Sequence, residues 1–165
     1  MAKITLKGNP INTSGEAPSV GSTAKDFEFV KNDLSTGSLY AMGSKYKVLN
    51  IFPSVDTGTC AMSVRTFNKK AASLNDVTVL NVSKDLPFAQ KRFCGAEGIE
   101  GVEMGSVFKN DMAKTYGLEI LDGPLAGLCS RVLLVLDQSN KVLFSQQVGE
   151  IADEPDYESA LSQIS

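Results

Sequence analysis

The stretch Lys47-Val48-Leu49-Asn50-Ile51-Phe52-Pro53-Ser54-Val55-Asp56-Thr57-Gly58-Thr59-Cys60-Ala61-Met62-Ser63-Val64-Arg65 decides the fold. Lys47 to Phe52 is a short, mostly apolar run of strand length, which reads as a buried central strand. Pro53 ends it, because proline brings no N–H to a sheet ladder. The loop Pro53 to Thr59 follows. Val64, Phe67, Ala71 and Leu74 then recur at spacings of 3, 4 and 3, which places them on one face of a helix. Open α/β sheets place their sites where such a strand ends and its loop leads into a helix.

Working outward, Lys3 to Leu6 alternates polar and apolar before Gly8-Asn9-Pro10, which predicts a short N-terminal hairpin. Gly15 to Gly21 reads as a loop, and Asp26 to Val30 and Ser38 to Tyr40 as short strands. Downstream, Val77 to Val82 is a second buried strand. Leu86 to Phe93 is helical, with Gly95 and Gly98 loosening the chain after it. Val102 to Phe108 is a strand, and Asp111 to Tyr116 a short helix stopped by Gly117. Asp122 to Gly127 is a loop. Val132 to Asp137 and Val142 to Val148 are strands, with a turn over Gln138 to Lys141. Tyr157 to Ile164 closes the chain as a helix. This order predicts one α/β domain over residues 1–165, a central mixed β-sheet flanked by helices, with an N-terminal β-hairpin.

Composition narrows the chemistry. The 165 residues suffice for a real core, and 42% hydrophobic and 21% charged residues are ordinary for a globular protein. No apolar run reaches membrane-helix length, and the start carries no signal-peptide pattern, so the expected setting is cytoplasmic. A net charge of −3 with scattered basic residues argues against nucleic acid. The chain has no histidine, which excludes Ser-His-Asp and Cys-His catalysis and the HExxH zinc motif. Cys60, Cys94 and Cys129 form no CxxC pair and make a poor zinc set. No metal or other cofactor is expected.

Cys60 falls near the first turn of the inferred helix, where free backbone N–H groups and the helix dipole favour an anion. An ordinary thiol, with a pKa near 8.5, is only about 3% thiolate at pH 7. A helix N-terminus with a nearby cation raises that fraction. Thr57, one turn earlier, offers a hydroxyl to the sulfur or to a bound peroxide. Arg65 and Arg131 are the candidate cations. By placement alone, Cys60 is either a reactive thiolate or a small buried residue at a helix start.

At these residues the sequence resembles a peroxiredoxin. Pro53-x-x-x-Thr57-x-x-Cys60 matches that family's PxxxTxxC motif. The likeness runs along nearly the whole chain and narrows to the bacterial thiol peroxidase subfamily, an atypical two-cysteine type. It rests on Leu6 to Pro10, Val48 to Arg65, Asp85 to Gly98, Asp122 to Leu125 and Glu154 to Tyr157. The resemblance implies a thioredoxin-like fold and a homodimer. It gives Cys60 the role of peroxidatic cysteine, Cys94 that of resolving cysteine, and Thr57 the active-site hydroxyl. It makes Pro53 the shield of the sulfur and Arg131 the family's arginine. It also implies hydrogen peroxide and alkyl hydroperoxides as substrates, an intramolecular Cys60–Cys94 disulfide, and thioredoxin as reductant. Cys129 receives no role and reads as a small apolar residue. Asp56 reads as a solvated loop charge, and Phe93 and Leu125 as either an apolar mouth or core.

Cys60 and Cys94, 34 residues apart in the sequence, need not meet in the reduced fold. A disulfide needs Cα atoms within about 7 Å. The turn around Cys60, or Phe93 to Gly98, is therefore expected to unwind. Two other readings use the same residues: a peroxide-sensing switch or interaction module, and a general disulfide oxidoreductase. The absence of CxxC weighs against the second.

Overall fold

The computed structural model describes residues 2–71 and 73–164. Two strands, β1 (Lys3–Leu6) and β2 (Asn9–Asn12), pair antiparallel as the N-terminal hairpin. Leu6 pairs with Asn9, so Lys7 and Gly8 make the turn, with φ of 50° and 82°. Two consecutive positive φ values suit the twist of a tight hairpin. Asn9 and Pro10, expected in the turn, belong to β2. Pro10 fits there because this edge requires nothing of its missing N–H.

The main sheet contains β3 (Glu28–Val30), β4 (Thr36–Ser38), β5 (Tyr46–Ile51), β6 (Val77–Ser83), β7 (Glu103–Ser106), β8 (Val132–Asp137) and β9 (Val142–Gln147). Their order is β4-β3-β7-β6-β5-β8-β9. β5, β6 and β7 run parallel, and the other pairings are antiparallel. The helices are α1 (Gly58–Ala71), α2 (Pro87–Glu97), α3 (Met112–Thr115) and α4 (Tyr157–Leu161).

β5 lies between β6 and β8, as its apolar run requires. Leu49 and Ile51 pack on one face with Leu80, Val82 and Leu134. Val48 points to the other face, against Phe67 of α1, and Phe52 joins Cys60 and Val64. Asn50 faces the same way as Val48. It is fully buried, and its amide donates to Ser63 Oγ at 3.1 Å and Asn81 Oδ1 at 2.8 Å. Lys47 is buried too, its Nζ held by the Leu39 carbonyl at 3.0 Å and Asn140 Oδ1 at 2.6 Å.

Several element ends differ from expectation. The strand placed at Ser38 to Tyr40 is β4, two residues earlier. The Asp26 carboxylate takes the backbone N–H groups of Phe27 and Tyr40, which holds both flanks as loop. α1 begins at Gly58 and ends by Ala71, so Leu74 lies beyond it. The side chain of Ala71, expected on the apolar face, lies outside the described residues. α2 runs through Gly95 to Glu97 and stops at Gly98, whose φ of 66° is left-handed. β7, at Glu103–Ser106, is shorter than the expected Val102 to Phe108. α4 ends at Leu161, capped at its start by Asp156, whose side chain accepts from the Ser159 N–H.

Candidate active site

β5 runs into Phe52 and Pro53, and the chain then turns back as α1, with Cys60 its third residue. The loop between is tied down by Asp85. One carboxylate oxygen accepts from Ser54 Oγ at 2.6 Å, and the other from the Val55 N–H at 2.9 Å. The Ser54 carbonyl in turn accepts from the Thr57 N–H at 3.2 Å and Thr57 Oγ1 at 3.1 Å. The Thr57 hydroxyl hydrogen is therefore directed to Ser54 in this state, not to the cysteine sulfur.

Cys60 is fully buried. Its Sγ accepts a hydrogen bond from Arg131 Nη2 at 3.2 Å. Arg131, at the entrance to β8, is itself 1% exposed, and its Nε donates to the Ile151 carbonyl at 2.9 Å. Its remaining nitrogen, Nη1, is buried with no hydrogen-bond partner among the described residues. A guanidinium has five N–H donors, so this nitrogen is a donor available to an oxygen atom beside the sulfur. The first turn of α1 is anchored from below: Ser63 Oγ, which accepts from Asn50, donates to the Cys60 carbonyl at 2.8 Å.

A cavity of about 700 Å³ opens beside these groups. Pro53, Thr57, Gly58, Thr59 and Arg131 form one side. The hairpin residues Leu6, Pro10 and Ile11, with Pro124, Leu125 and Ile151, make the rest largely apolar. Four of the five expected site residues thus converge: Cys60 with its partner Arg131, and Pro53 and Thr57 on the cavity wall. Leu125 lines the mouth, whereas Phe93 is buried in the cluster that contains Cys60.

Cys94 sits elsewhere, on α2, half-buried against that same cluster and not bonded to Cys60. Burial pushes its thiol up, and a hydrogen bond from the Asn32 side chain pulls it partly back. Arg65, a candidate cation, instead makes a two-pronged ion pair with Glu97, both bonds at 2.9 Å. Asp56 pairs with Arg92 at 3.0 Å. Cys129 is fully buried, and burial pushes its thiol up to about 12, which keeps it protonated and inert. Among the described residues no cluster of acidic or cysteine side chains could hold a metal.

Residues 19–161 match the family model described as Redoxin. The chain belongs to the Redoxin family. It is 52% identical over 164 residues to a thiol peroxidase of Mycobacterium tuberculosis, covering 99% of both chains. Among solved structures it resembles a peroxiredoxin-like protein from Aquifex aeolicus at 34% identity and a TM-score of 0.93, covering 99% of this chain and 95% of that one. A thiol peroxidase from Chromobacterium violaceum shares the fold at 20% identity and a TM-score of 0.88, covering 95% and 91%. The sheet, its flanking helices and the hairpin thus form the thioredoxin-like fold expected of a redoxin.

Sequence reading missed Asp85, Asn50, Ser63 and Thr59, whose Oγ1 donates to the Ala152 carbonyl at 2.7 Å. The buried polar Asn50 inside an apolar strand was the one visible signal. The others are ordinary polar residues until the fold brings their partners near.

Proposed function

We propose that this chain is a thiol-dependent peroxidase in which Cys60 attacks hydroperoxides and Cys94 resolves the product. The observation that carries this is the buried Arg131 guanidinium, 3.2 Å from Cys60 Sγ, with Nη1 unpartnered among the described residues. One nitrogen favours negative charge on sulfur. The other can hold the peroxide and stabilise charge growing on the departing oxygen. The Cys60 thiolate attacks the terminal peroxide oxygen; an S–O bond forms and the O–O bond breaks. The leaving alkoxide or hydroxide takes a proton and departs as alcohol or water, and Cys60 becomes a sulfenic acid. The Cys94 thiol then displaces that hydroxyl as water and forms the disulfide. A dithiol, thioredoxin in this proposal, reduces the disulfide by exchange and is itself oxidised.

The apolar cavity favours alkyl hydroperoxides alongside hydrogen peroxide. Pro53 shields the sulfur, and Thr57 orders the peroxide once its hydroxyl leaves Ser54. Closure of the disulfide requires local opening, either of the first turn of α1 or of Phe93 to Gly98. A homodimer of single-domain subunits working in the cytoplasm, where dithiol reductants are plentiful, completes the proposal.

Mass mapping of thiols after one equivalent of peroxide tests it. Cys60 and Cys94 should be lost together and Cys129 retained, with reduced thioredoxin restoring both. A Cys60 thiol that survives peroxide, or full turnover by Cys60→Ser, rejects the assignment.

A further inference from the structure

Glu150 stands outside the catalytic group, yet its two carboxylate oxygens join the N-terminal hairpin to the segment that Glu150 itself lies in, beside the cavity. Oε1 accepts from the Gly8 N–H at 2.8 Å and from Thr5 Oγ1 at 3.1 Å, both in the N-terminal hairpin. Oε2 accepts from the Ala152 N–H at 2.8 Å. The backbone adds a bridge between Thr5 and Glu150, with Thr5 N–H to the Gly149 carbonyl at 2.7 Å and Ile151 N–H to the Thr5 carbonyl at 2.9 Å. The same segment reaches the reacting centre: the Ile151 carbonyl holds Arg131, and the Ala152 carbonyl holds Thr59.

The hairpin so held is a cavity wall. Leu6, Pro10 and Ile11 line the space beside Cys60, while Ile4 and Ile11 pack below against Ile120 and Ile151. β1 and β2 form a sheet of their own, apart from the main one. Asp122 and the Leu121 N–H hold its Asn12 end, and the Glu150 segment holds the Thr5 to Gly8 end, so the wall's position depends on both. The carboxylate fixes the turn end, at Gly8, where the hairpin's own register gives least support.

We propose that Glu150 is a positioning residue that docks the N-terminal hairpin as the apolar wall of the Cys60 cavity and thereby sets the preference for bulky organic hydroperoxides over hydrogen peroxide. This rests on the peroxidase reading above. Hydrogen peroxide has no apolar tail and needs only Cys60, Arg131 and the loop from Pro53 to Thr59. A hydroperoxide bearing an aromatic or branched alkyl group also needs the wall.

The test compares wild type, Glu150→Ala and Thr5→Val, measuring rate constants for Cys60 oxidation with cumene hydroperoxide and with hydrogen peroxide. Glu150→Ala should lower the cumene hydroperoxide rate by about tenfold, the scale of a few lost apolar contacts, and the hydrogen peroxide rate by less than about threefold. The loss with cumene hydroperoxide should appear mainly as a raised KM. Thr5→Val, which leaves the Ala152 bond in place, should shift the ratio the same way by a smaller factor, even if Glu150→Ala folds poorly. Hydrogen exchange at the Gly8 amide should quicken in both variants. Equal losses with the two peroxides would mean that Glu150 acts through Arg131 alone, and an unchanged ratio in both variants would mean that the hairpin needs no such anchor; either overturns the proposal. Failure of wild type to react with either peroxide sinks the peroxidase reading instead.

Discussion

At the scale of single residues, the site contrasts two buried thiols. Cys60 has a buried cation against its sulfur, and Cys129 is surrounded by apolar side chains with its thiol held protonated. Arg131→Lys keeps a positive charge but loses the rigid fork that reaches Ile151 and Cys60 together. It should slow Cys60 oxidation by roughly a hundredfold, the typical effect of removing one aimed donor. Stopped-flow measurement of thiol loss checks this, and a rate near wild type would remove Arg131 from the chemistry. Cys129→Ala, by contrast, should leave both thiol mapping and turnover as they are. The PxxxTxxC spacing marked Cys60, Thr57 and Pro53 in the chain, but nothing local in the sequence linked Arg131 to them. Cys60 and Arg131 are 71 positions apart, and the antiparallel pairing of β5 with β8 brings Ile51 beside Val132, next to Arg131.

At the scale of elements, α2 is one of the two parts whose opening would let Cys94 reach Cys60, the first turn of α1 being the other. Its last turn closes on the Cys94 carbonyl, which accepts from the Gly98 and Ile99 N–H groups. Two exposed ion pairs hold it to its surroundings: Arg92 to Asp56 in the loop before α1, and Arg65 on α1 to Glu97. Exposed pairs contribute at most about 1 kcal/mol each, enough to bias a local opening without locking it. Arg65→Ala should therefore speed disulfide closure about twofold at low salt, a difference that high salt should erase. Following Cys94 thiol loss after Cys60 oxidation reads this; slower closure would show that the pair guides α2 rather than restraining it. Gly98→Ala, at a left-handed position, should cost about 1 kcal/mol of stability, visible as a lowered urea midpoint. The sequence reading placed a helix at Leu86 to Phe93. It did not show where the helix ends, because Gly95 is tolerated inside it and only Gly98 adopts the terminating conformation.

For the whole molecule, exposed carboxylates set the acid side of the stability profile. Asp33, Glu97, Asp122 and Asp156 are held below the ordinary range by Ser35, Arg65, Asn12 and Ser159 respectively. The Ala152 and Gly8 N–H groups bring Glu150 to about 2. Such groups bind protons more readily unfolded than folded, so their contribution is complete above their unfolded values, about 4, and is lost as pH falls through the folded ones. Burial shifts Tyr116 and Tyr157 the other way, upward. Their phenols ionise first in the unfolded chain, so stability should fall again above about pH 10. Urea midpoints measured from pH 3 to 11 should form a plateau that drops at both ends. A midpoint that rises below pH 4 would contradict the carboxylate assignments.

The sequence by itself determined the order of strands and helices, the central place of β5, the family likeness and the cysteine proposed as nucleophile. Each of these is written in local periodicity or in a short motif, which neighbouring residues are enough to express. The family likeness named Arg131; tertiary structure alone decided that its guanidinium meets the sulfur while Arg65 turns to Glu97, that Asp85 and Glu150 brace the loops around the site, and that the hairpin forms a cavity wall. Those facts depend on contacts between segments far apart in the chain, and sheet pairing, which brings such segments together, leaves no mark on the residues beside them.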